Sequence, residues 1–177
     1  MLALTGSTGA LGGLVAPALV DLRPRLLVRD PARAPQLGLD VMTATYADGT
    51  ACTAALEGVE VLFMVSAAES EHRRREHRTF IEAAVRAGVR HVVYTSFSGA
   101  SPDSTFTLGR DHHDAELALH EAREESGLAF TVLRDNFYLD ILPAFAGEDG
   151  ALRGPAGDGA VAAVARADVA DVAVAVL

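Results

Sequence analysis

Short apolar runs alternate along this chain with longer segments of helical periodicity. The runs are rich in Val, Leu and Phe, and they span residues 1–5, 26–29, 41–45, 59–66, 91–96 and 130–134. Near-continuous hydrophobicity of this kind is typical of strands buried on both faces, as in a parallel sheet. Strict alternation of strands and helices implies right-handed crossovers. The sequence therefore predicts an α/β fold, a doubly wound parallel sheet with helices on both faces.

Glycine and proline give the expected helix limits. Residues 70–87 and 108–126 are the clearest helical segments, and Gly88 and Gly127 follow them as stop signals. Pro17 should kink or shorten the first helix, because its ring cannot fit an unbroken helix interior. The 177 residues suit one domain, residues 1–177, since domains commonly hold roughly 100–200 residues.

Two predictions concern the C-terminal part of the chain. Residues 147–159 are rich in glycine and predict a loop or hairpin. Asp168 is expected to be the N-cap of a last helix that continues to Leu177, because a carboxylate can accept the free N–H groups at a helix start.

The turn after the first apolar run has the spacing G-x-x-G-x-x-G. Its residues are Gly6, Ser7, Thr8, Gly9, Ala10, Leu11 and Gly12. The first glycine permits a tight turn, the second lets a pyrophosphate approach the backbone, and the third lets the helix pack closely on the strand. A glycine-rich turn can also simply join a strand to a helix. The order of strand, turn and helix favours a Rossmann-type dinucleotide site, with anion-binding N–H groups at the helix start.

Arg29 stands where the second predicted strand ends. NAD-binding sites usually carry an acidic residue here, which bonds the ribose 2′-hydroxyl, whereas an arginine suits a 2′-phosphate. The position therefore predicts NADPH, with NADH as a weaker alternative because Asp30 is adjacent. Arg29 could equally be one of the ordinary surface arginines in a chain with 15 basic side chains.

Composition excludes several kinds of chemistry. All 15 basic residues are arginine, so a Schiff-base lysine, a Walker A loop and a Tyr-x-x-x-Lys pair are ruled out. The single Cys52 excludes C-x-x-C sites. The net charge of −9 counts against nucleic acid as a partner, and no run is long enough for a membrane span. With no basic residue before Arg23, no signal peptide is indicated, and we expect a cytoplasmic protein.

Together with the Ala47–Asp48 pair, these features resemble the NmrA-like atypical short-chain dehydrogenases, in particular their NAD(P)H:quinone oxidoreductase branch. The matching stretches are TGSTGALG at 5–12, LVRDPAR at 27–33, YADGTACTAALEGVEVLFMVSA at 46–67, HVVYTSFSGA at 91–100, RDHHDAE at 110–116 and GLAFTVLRDNFYLD at 127–140. The resemblance implies that NADPH lies on the glycine turn, with its 2′-phosphate on Arg29 and its adenine beside Asp48.

The resemblance also implies further cofactor-binding residues after the fourth, fifth and sixth strands. These are Ser66, Ala67, Ala68, Ser96, Phe97, Asn136 and Phe137. Asn136 and Phe137 would border the nicotinamide. For Phe97 and Phe137, ordinary core packing is an equally good interpretation.

His112 is the candidate proton donor implied by the family, with Glu116 as its expected partner four residues later. A surface helical histidine is the alternative. His113, Glu116 and His120 share a helix face, but nothing else supports a metal, and no metal site is predicted. The basic run at 72–78 has acidic neighbours and no interleaved aromatic residues, so it is interpreted as a solvated helix face.

The function implied by the resemblance is NADPH-dependent hydride transfer to a quinone or a similar small acceptor. The alternative is a regulatory module that senses NAD(P) without efficient turnover. A sugar-nucleotide epimerase is excluded because it would need the Tyr/Lys pair. Family members normally continue beyond this point, so the C-terminal substrate-binding portion is expected to be largely absent. An apolar patch left near the cleft would then favour self-association.

Overall fold

The computed structural model describes residues 1–154 and 157–177. The strands are β1 (Leu2–Thr5), β2 (Arg25–Val28), β3 (Val41–Thr43), β4 (Val61–Met64), β5 (His91–Phe97) and β6 (Ala129–Asp135). The α-helices are α1 (Gly12–Ala18), α2 (Gly49–Ala55), α3 (Arg73–Arg86), α4 (Thr107–Ser126) and α5 (Arg166–Val176).

The six strands form one sheet in the order β3-β2-β1-β4-β5-β6, and every pairing is parallel. The order reverses between β1 and β4, since the chain first builds outward on one side of β1 and then crosses to the other. Open α/β sheets bind ligands at such a reversal, beyond the carboxyl ends of the strands. The predicted doubly wound, Rossmann-type fold is confirmed.

Helices cover both faces of the sheet. On one face α2, α3 and α4 bury a core that includes Cys52, Phe80 and Leu119. On the other face α1 and α5 pack together over β1 and β4 through Val15 and Ala173. This arrangement explains why the strand sequences are apolar almost without interruption, because the central strands meet a hydrophobic layer on both sides.

Local sequence signals fix several helix ends as predicted. Pro17 lies in α1, which has only seven residues, and a 3-10 turn at Val20–Leu22 follows it. Gly88 and Gly127 follow α3 and α4 with φ of 77° and 78°, a conformation that costs glycine little.

Two expectations about the C-terminal part need correction or completion. Asp168 is not the N-cap of the last helix, because α5 begins at Arg166 and places Asp168 in its first turn. The N–H of Arg166 instead donates to the carboxylate of Asp140 at 3.0 Å. Asp140 lies in the 3-10 segment Leu139–Phe145. At the start of the predicted loop or hairpin at 147–159, an antiparallel bridge joins Ala146, just before it, to Leu152, as in a small hairpin.

The remainder of that segment includes Pro155 and Ala156, which lie outside the described residues. None of the helices in the described part of the chain is both long and apolar enough to cross a membrane.

Candidate dinucleotide-binding site

A cleft of about 650 Å³ opens at the carboxyl ends of β1 to β4, where the sheet order reverses. Its volume lies within the roughly 300–1,000 Å³ usual for ligand pockets. The walls are the β1–α1 turn, Arg29 after β2, residues 44–47 after β3, residues 65–70 after β4, and two side chains of α3. Four separate loops therefore meet at one concave site.

The β1–α1 turn depends on its glycines. Gly6 has φ of 68°, and its carbonyl oxygen accepts the N–H of Gly9 at 2.8 Å. A Cβ on Gly12 would lie 2.3 Å from that same oxygen, so only glycine fits where α1 starts. The third glycine of the motif has the packing role that its spacing predicted.

Nine of the residues proposed from the sequence line the cleft. They are Gly6, Thr8, Gly9, Ala10, Leu11, Arg29, Ser66, Ala67 and Ala68. Ser7 lies under the turn with 3% of its surface exposed, and its hydroxyl has no hydrogen-bond partner among the residues described. The exposed Asp48 is the N-cap of α2, and its Oδ1 accepts hydrogen bonds from the N–H groups of Thr50 and Ala51.

Arg29 follows β2 at the rim of the cleft, with an exposed side chain. The neighbouring Asp30 turns its carboxylate to the N–H of Ala32, at 3.0 Å, and caps the 3-10 turn Pro31–Arg33. The Asp30 carboxylate is thus held in a local cap and is not among the residues that line the cleft, whereas Arg29 is.

Tyr46 forms a part of the cleft that the sequence analysis did not identify. Its hydroxyl donates to the carbonyl of Val65 at 2.7 Å and is also bonded to Oγ1 of Thr5 at 2.7 Å. Its ring stacks on Phe80 with centroids 4.2 Å apart. Burial raises the pKa of Tyr46 far above its usual value, so the phenol is neutral. Tyr46 therefore joins the ends of β1, β3 and β4 beneath the cleft.

The loop after β4 is held by two side chains of α3. The N–H of Ala67 donates to Nε2 of His77 at 2.9 Å, and its carbonyl accepts from Nε of Arg73 at 2.8 Å. His77 is fully buried and Arg73 is 2% exposed. The solvated-face interpretation of residues 72–78 is therefore wrong for these two positions.

Other arginines of the same run pair with acidic residues of α4. Arg74 contacts Asp111 at 2.6 Å, and Arg78 contacts Asp114 at 2.9 Å and Glu121 at 2.8 Å. The run thus joins α3 to α4 rather than simply facing water.

His112 is 6% exposed and does not pair with Glu116 as expected. Its Nε2 lies 3.0 Å from Nη2 of Arg73, and its Nδ1 lies 2.9 Å from the hydroxyl of Tyr94. Because a guanidinium can only donate, Nε2 is the acceptor and the ring proton lies on Nδ1. Burial, and then the charge of Arg73, lower the pKa of His112 to about 3, so the ring is neutral.

Glu116 has other partners, and this explains the difference. Its carboxylate accepts from the hydroxyl of Ser96 at 2.5 Å and from the guanidinium of Arg134 at 2.6 and 3.0 Å. An arginine with two donors aimed at one carboxylate is a stronger partner than a neutral imidazole. Ser96 is consequently buried beneath the end of β5, with 1% of its surface exposed.

The remaining predicted residues form a second group at the ends of β5 and β6, outside the cleft walls. Phe97 packs against Phe106, Phe137 and the ring of His112, with centroids 5.3 to 6.2 Å apart. Oδ1 of Asn136 accepts the N–H of Phe137 at 2.8 Å. Among the described residues, no three His, Cys, Asp or Glu side chains form a group that could hold a metal ion.

Known proteins with similar sequences are oxidoreductases. Quinone oxidoreductase 2 of Escherichia coli K12 is 38% identical over 187 residues, and the alignment covers all of this chain and 64% of that protein. An NmrA-like family domain-containing oxidoreductase of Aspergillus flavus is 32% identical, with 80% of this chain and 49% of that protein aligned. This chain spans less than two thirds of the length of either relative.

Solved structures with the same fold include two with bound cofactor. The NADPH-dependent quinone oxidoreductase of E. coli, complexed with NADPH, superposes with a TM-score of 0.87 at 38% identity, over 99% of this chain and 64% of that one. The triphenylmethane reductase of Citrobacter sp., complexed with NADP(H), gives 0.89 at 29% identity, over 99% and 65%.

The cleft and these similarities agree with a match over almost the entire sequence. The family model described as NAD(P)H-binding covers residues 6–177, from the first glycine of the turn through α5. The chain therefore belongs to the NAD(P)H-binding family, in its NmrA-like group.

Proposed function

We propose that this chain forms one NAD(P)-binding domain, binds NADPH in the cleft, and transfers hydride to a quinone or a similar small acceptor. The observation that carries the proposal is the meeting of the glycine turn and the exposed Arg29 in one cleft at the reversal of the sheet. The similar proteins include a quinone oxidoreductase, which supports the acceptor class.

The residues present suit a dinucleotide. The turn presents Gly6 and Gly9 to the cleft, and a Cβ at Gly12 would clash with the backbone of Gly6 and Ser7. The proposed contact with Ser7 would use a hydroxyl that has no partner among the described residues, although Ser7 lies beneath the turn and is not among the residues that line the cleft. Arg29 would hold the 2′-phosphate, and Ser66, Ala67 and Ala68 would line the middle of the cofactor. When bound, NADPH supplies the hydride.

The groups at the ends of β5 and β6 are proposed to border the nicotinamide and the acceptor. Phe97 and Phe137 offer apolar faces there, and Ser96 and Asn136 are tied down by the hydrogen bonds described above. Apolar walls of this kind exclude water and orient a planar acceptor.

His112 remains a proposed proton donor. Its single ring proton is on Nδ1 and is donated to the fully buried hydroxyl of Tyr94, so the proton would reach an acceptor only after this hydrogen bond opens. His112→Gln should then lower turnover without changing NADPH affinity. Unchanged turnover would show that the proton comes from solvent.

Cofactor preference tests the role of Arg29. The parent should bind NADPH about ten- to a hundredfold more tightly than NADH, because a hydrogen bond to a charged group contributes ~1.5–3 kcal/mol. Arg29→Ala should lose most of this preference. Fluorescence titration of both cofactors measures this. Arg33→Ala, another exposed arginine nearby, is the matched control and should bind as the parent does. Equal affinity of the parent for both cofactors would contradict the proposal.

Turnover separates the enzyme from a sensor of NAD(P). An oxidoreductase oxidises NADPH only when a quinone is added, whereas a sensor binds NADPH and leaves it unchanged. Absorbance of NADPH with and without a soluble quinone distinguishes the two, and binding with no quinone-dependent oxidation would favour the sensor.

A further inference from the structure

We propose that Arg73 and His77 are positioning residues that hold the backbone of Ala67 at the wall of the cleft and so set the affinity for NADPH. The inference rests on the proposed function for the identity of the ligand. The two side chains lie one turn apart on α3, and they bond opposite ends of the same residue's backbone. We refer to the two hydrogen bonds as the Ala67 clamp.

The clamp fixes the direction of the two peptide groups on either side of Ala67. His77 accepts the N–H of Ala67 and Arg73 donates to its carbonyl, so neither peptide group can turn without breaking a part-buried hydrogen bond. Ala67 itself lines the cleft together with Ser66 and Ala68. A loop without regular structure is thereby held by the rigid helix behind it, which is how a binding wall is preorganised.

Stability alone does not account for these two residues. Nη1 of Arg73 and Nδ1 of His77 have no hydrogen-bond partner among the described residues, although Nη1 lies 3.7 Å from the carboxylate of Asp111. Buried polar groups without partners are costly, and apolar side chains at such positions commonly give an equally stable or more stable protein. Because the pair carries this cost and bonds the backbone of Ala67, we assign it a role in positioning that backbone.

Arg73 also connects the clamp to α4. Its Nη2 donates to His112, which in turn donates to Tyr94 of β5. The guanidinium is therefore fixed by two elements, and the loop after β4 is held relative to α4 and β5 as well as α3. Both groups of candidate site residues are linked through this one side chain.

Substitution of His77 separates positioning from packing. His77→Leu removes the acceptor for the Ala67 N–H, whereas His77→Gln keeps an acceptor at a similar reach through its side-chain oxygen. We expect His77→Leu to weaken NADPH binding about tenfold or more, and His77→Gln to stay within about threefold of the parent. Arg74→Gln changes an adjacent, half-exposed arginine that pairs with α4, and should leave NADPH affinity unchanged.

A second readout needs no cofactor. Hydrogen exchange of the Ala67 amide in the ligand-free protein should quicken in His77→Leu and stay slow in His77→Gln and Arg74→Gln. Arg73→Lys keeps the charge but cannot reach Ala67 and His112 together; it should weaken NADPH binding in a folded protein, even if His77→Leu does not fold.

The outcomes are distinct. If the parent does not bind NADPH, the proposed function fails; slow Ala67 exchange in a folded His77→Leu would then overturn the clamp as well, because that variant lacks the acceptor for the Ala67 N–H. If the parent binds NADPH and these variants bind equally well while melting at lower temperature, the clamp is only structural, and this inference alone is overturned.

Discussion

Of the three glycines in the β1–α1 motif, Gly12 has the least room for a side chain. An added Cβ would stand 2.3 Å from the Gly6 oxygen and 2.8 Å from the Ser7 nitrogen, and both are backbone atoms that cannot move aside cheaply. Gly12→Ala should therefore lower the free energy of unfolding by about 1–3 kcal/mol and distort the turn enough to weaken NADPH binding. Urea denaturation and NADPH titration measure the two effects.

Gly13 provides the comparison for that experiment. A Cβ at Gly13 meets only the Ser7 oxygen at 3.6 Å, which is an ordinary contact. Gly13→Ala should be neutral or stabilise α1 by up to about 1 kcal/mol, because alanine has less freedom to lose on folding. Equal losses in both variants would mean that the turn tolerates no change at all, rather than a specific clash at Gly12.

Individual residues differ in how well the sequence predicts them. The glycines and Arg29 could be recognised because their spacing from a strand end has a direct geometric meaning. Arg73 and His77 were placed in a solvated run because their neighbours are charged. The helical periodicity of α3 could have indicated their burial. His77 and Arg73 lie four and eight residues before the buried Ile81, and therefore on the same face of the helix.

At the scale of elements, α3 and α4 are joined by a network of ion pairs. Arg78 contacts both carboxylate oxygens of Asp114 at 2.9 Å and Glu121 at 2.8 Å. A bidentate pair within a network contributes more than a simple exposed pair, so Asp114→Asn should cost about 1 kcal/mol, and less in 1 M salt. Thermal or urea unfolding at low and high salt measures this.

Glu82→Gln is the control on the same helix. It removes the exposed i,i+4 contact with Arg86, whose closest atoms are 3.6 Å apart. Such a pair contributes about 0.3–0.5 kcal/mol at most. A loss as large for Glu82→Gln as for Asp114→Asn would contradict the network argument.

Element boundaries show where sequence patterns stop being informative. The core of each strand was predicted from its apolar run, and the signal is strongest in the central strands β1, β2, β4 and β5, which are largely buried. The start of α5 was not predicted correctly, because the N–H of Arg166 is capped by Asp140, which lies 26 residues earlier in the chain. A cap supplied by tertiary contact has no local pattern, whereas Asp168 matched the local rule and proved to lie inside the helix.

For the molecule as a whole, buried ionisable groups link stability to pH. Burial, and then the charge of Arg73, lower the pKa of both His77 and His112 from 6.5 to about 3. Between these values the unfolded chain binds protons that the folded chain does not, so stability is complete above about pH 6.5 and falls toward pH 3. Each histidine contributes up to ~1.4 kcal/mol per pH unit in that window.

Asp135 acts in the opposite direction. Burial raises its pKa from 3.8 to about 6, so its contribution is present below pH 3.8 and is lost as the pH rises to 6. Between pH 4 and 6, the pH dependence of stability due to Asp135 cancels roughly that due to one of the two histidines. We expect stability to fall by about 1.4 kcal/mol per unit as the pH is lowered through this range.

Urea denaturation from pH 4 to 7 checks this slope. His77→Gln removes one titrating group and should make stability nearly independent of pH between 4 and 6. An unchanged slope in that variant would show that His77 is not the buried neutral histidine described.

The central position of β1 has a consequence for the way the chain is synthesised. β1 needs β2 on one side and β4 on the other, and β4 leaves the ribosome only after residues 6–60 have followed. At roughly 5–20 residues per second, one edge of the nascent β1 stays open for several seconds. An open strand edge can pair with another chain during that interval. The yield of folded protein should therefore depend on how quickly translation delivers Val61–Met64, however stable the finished sheet is.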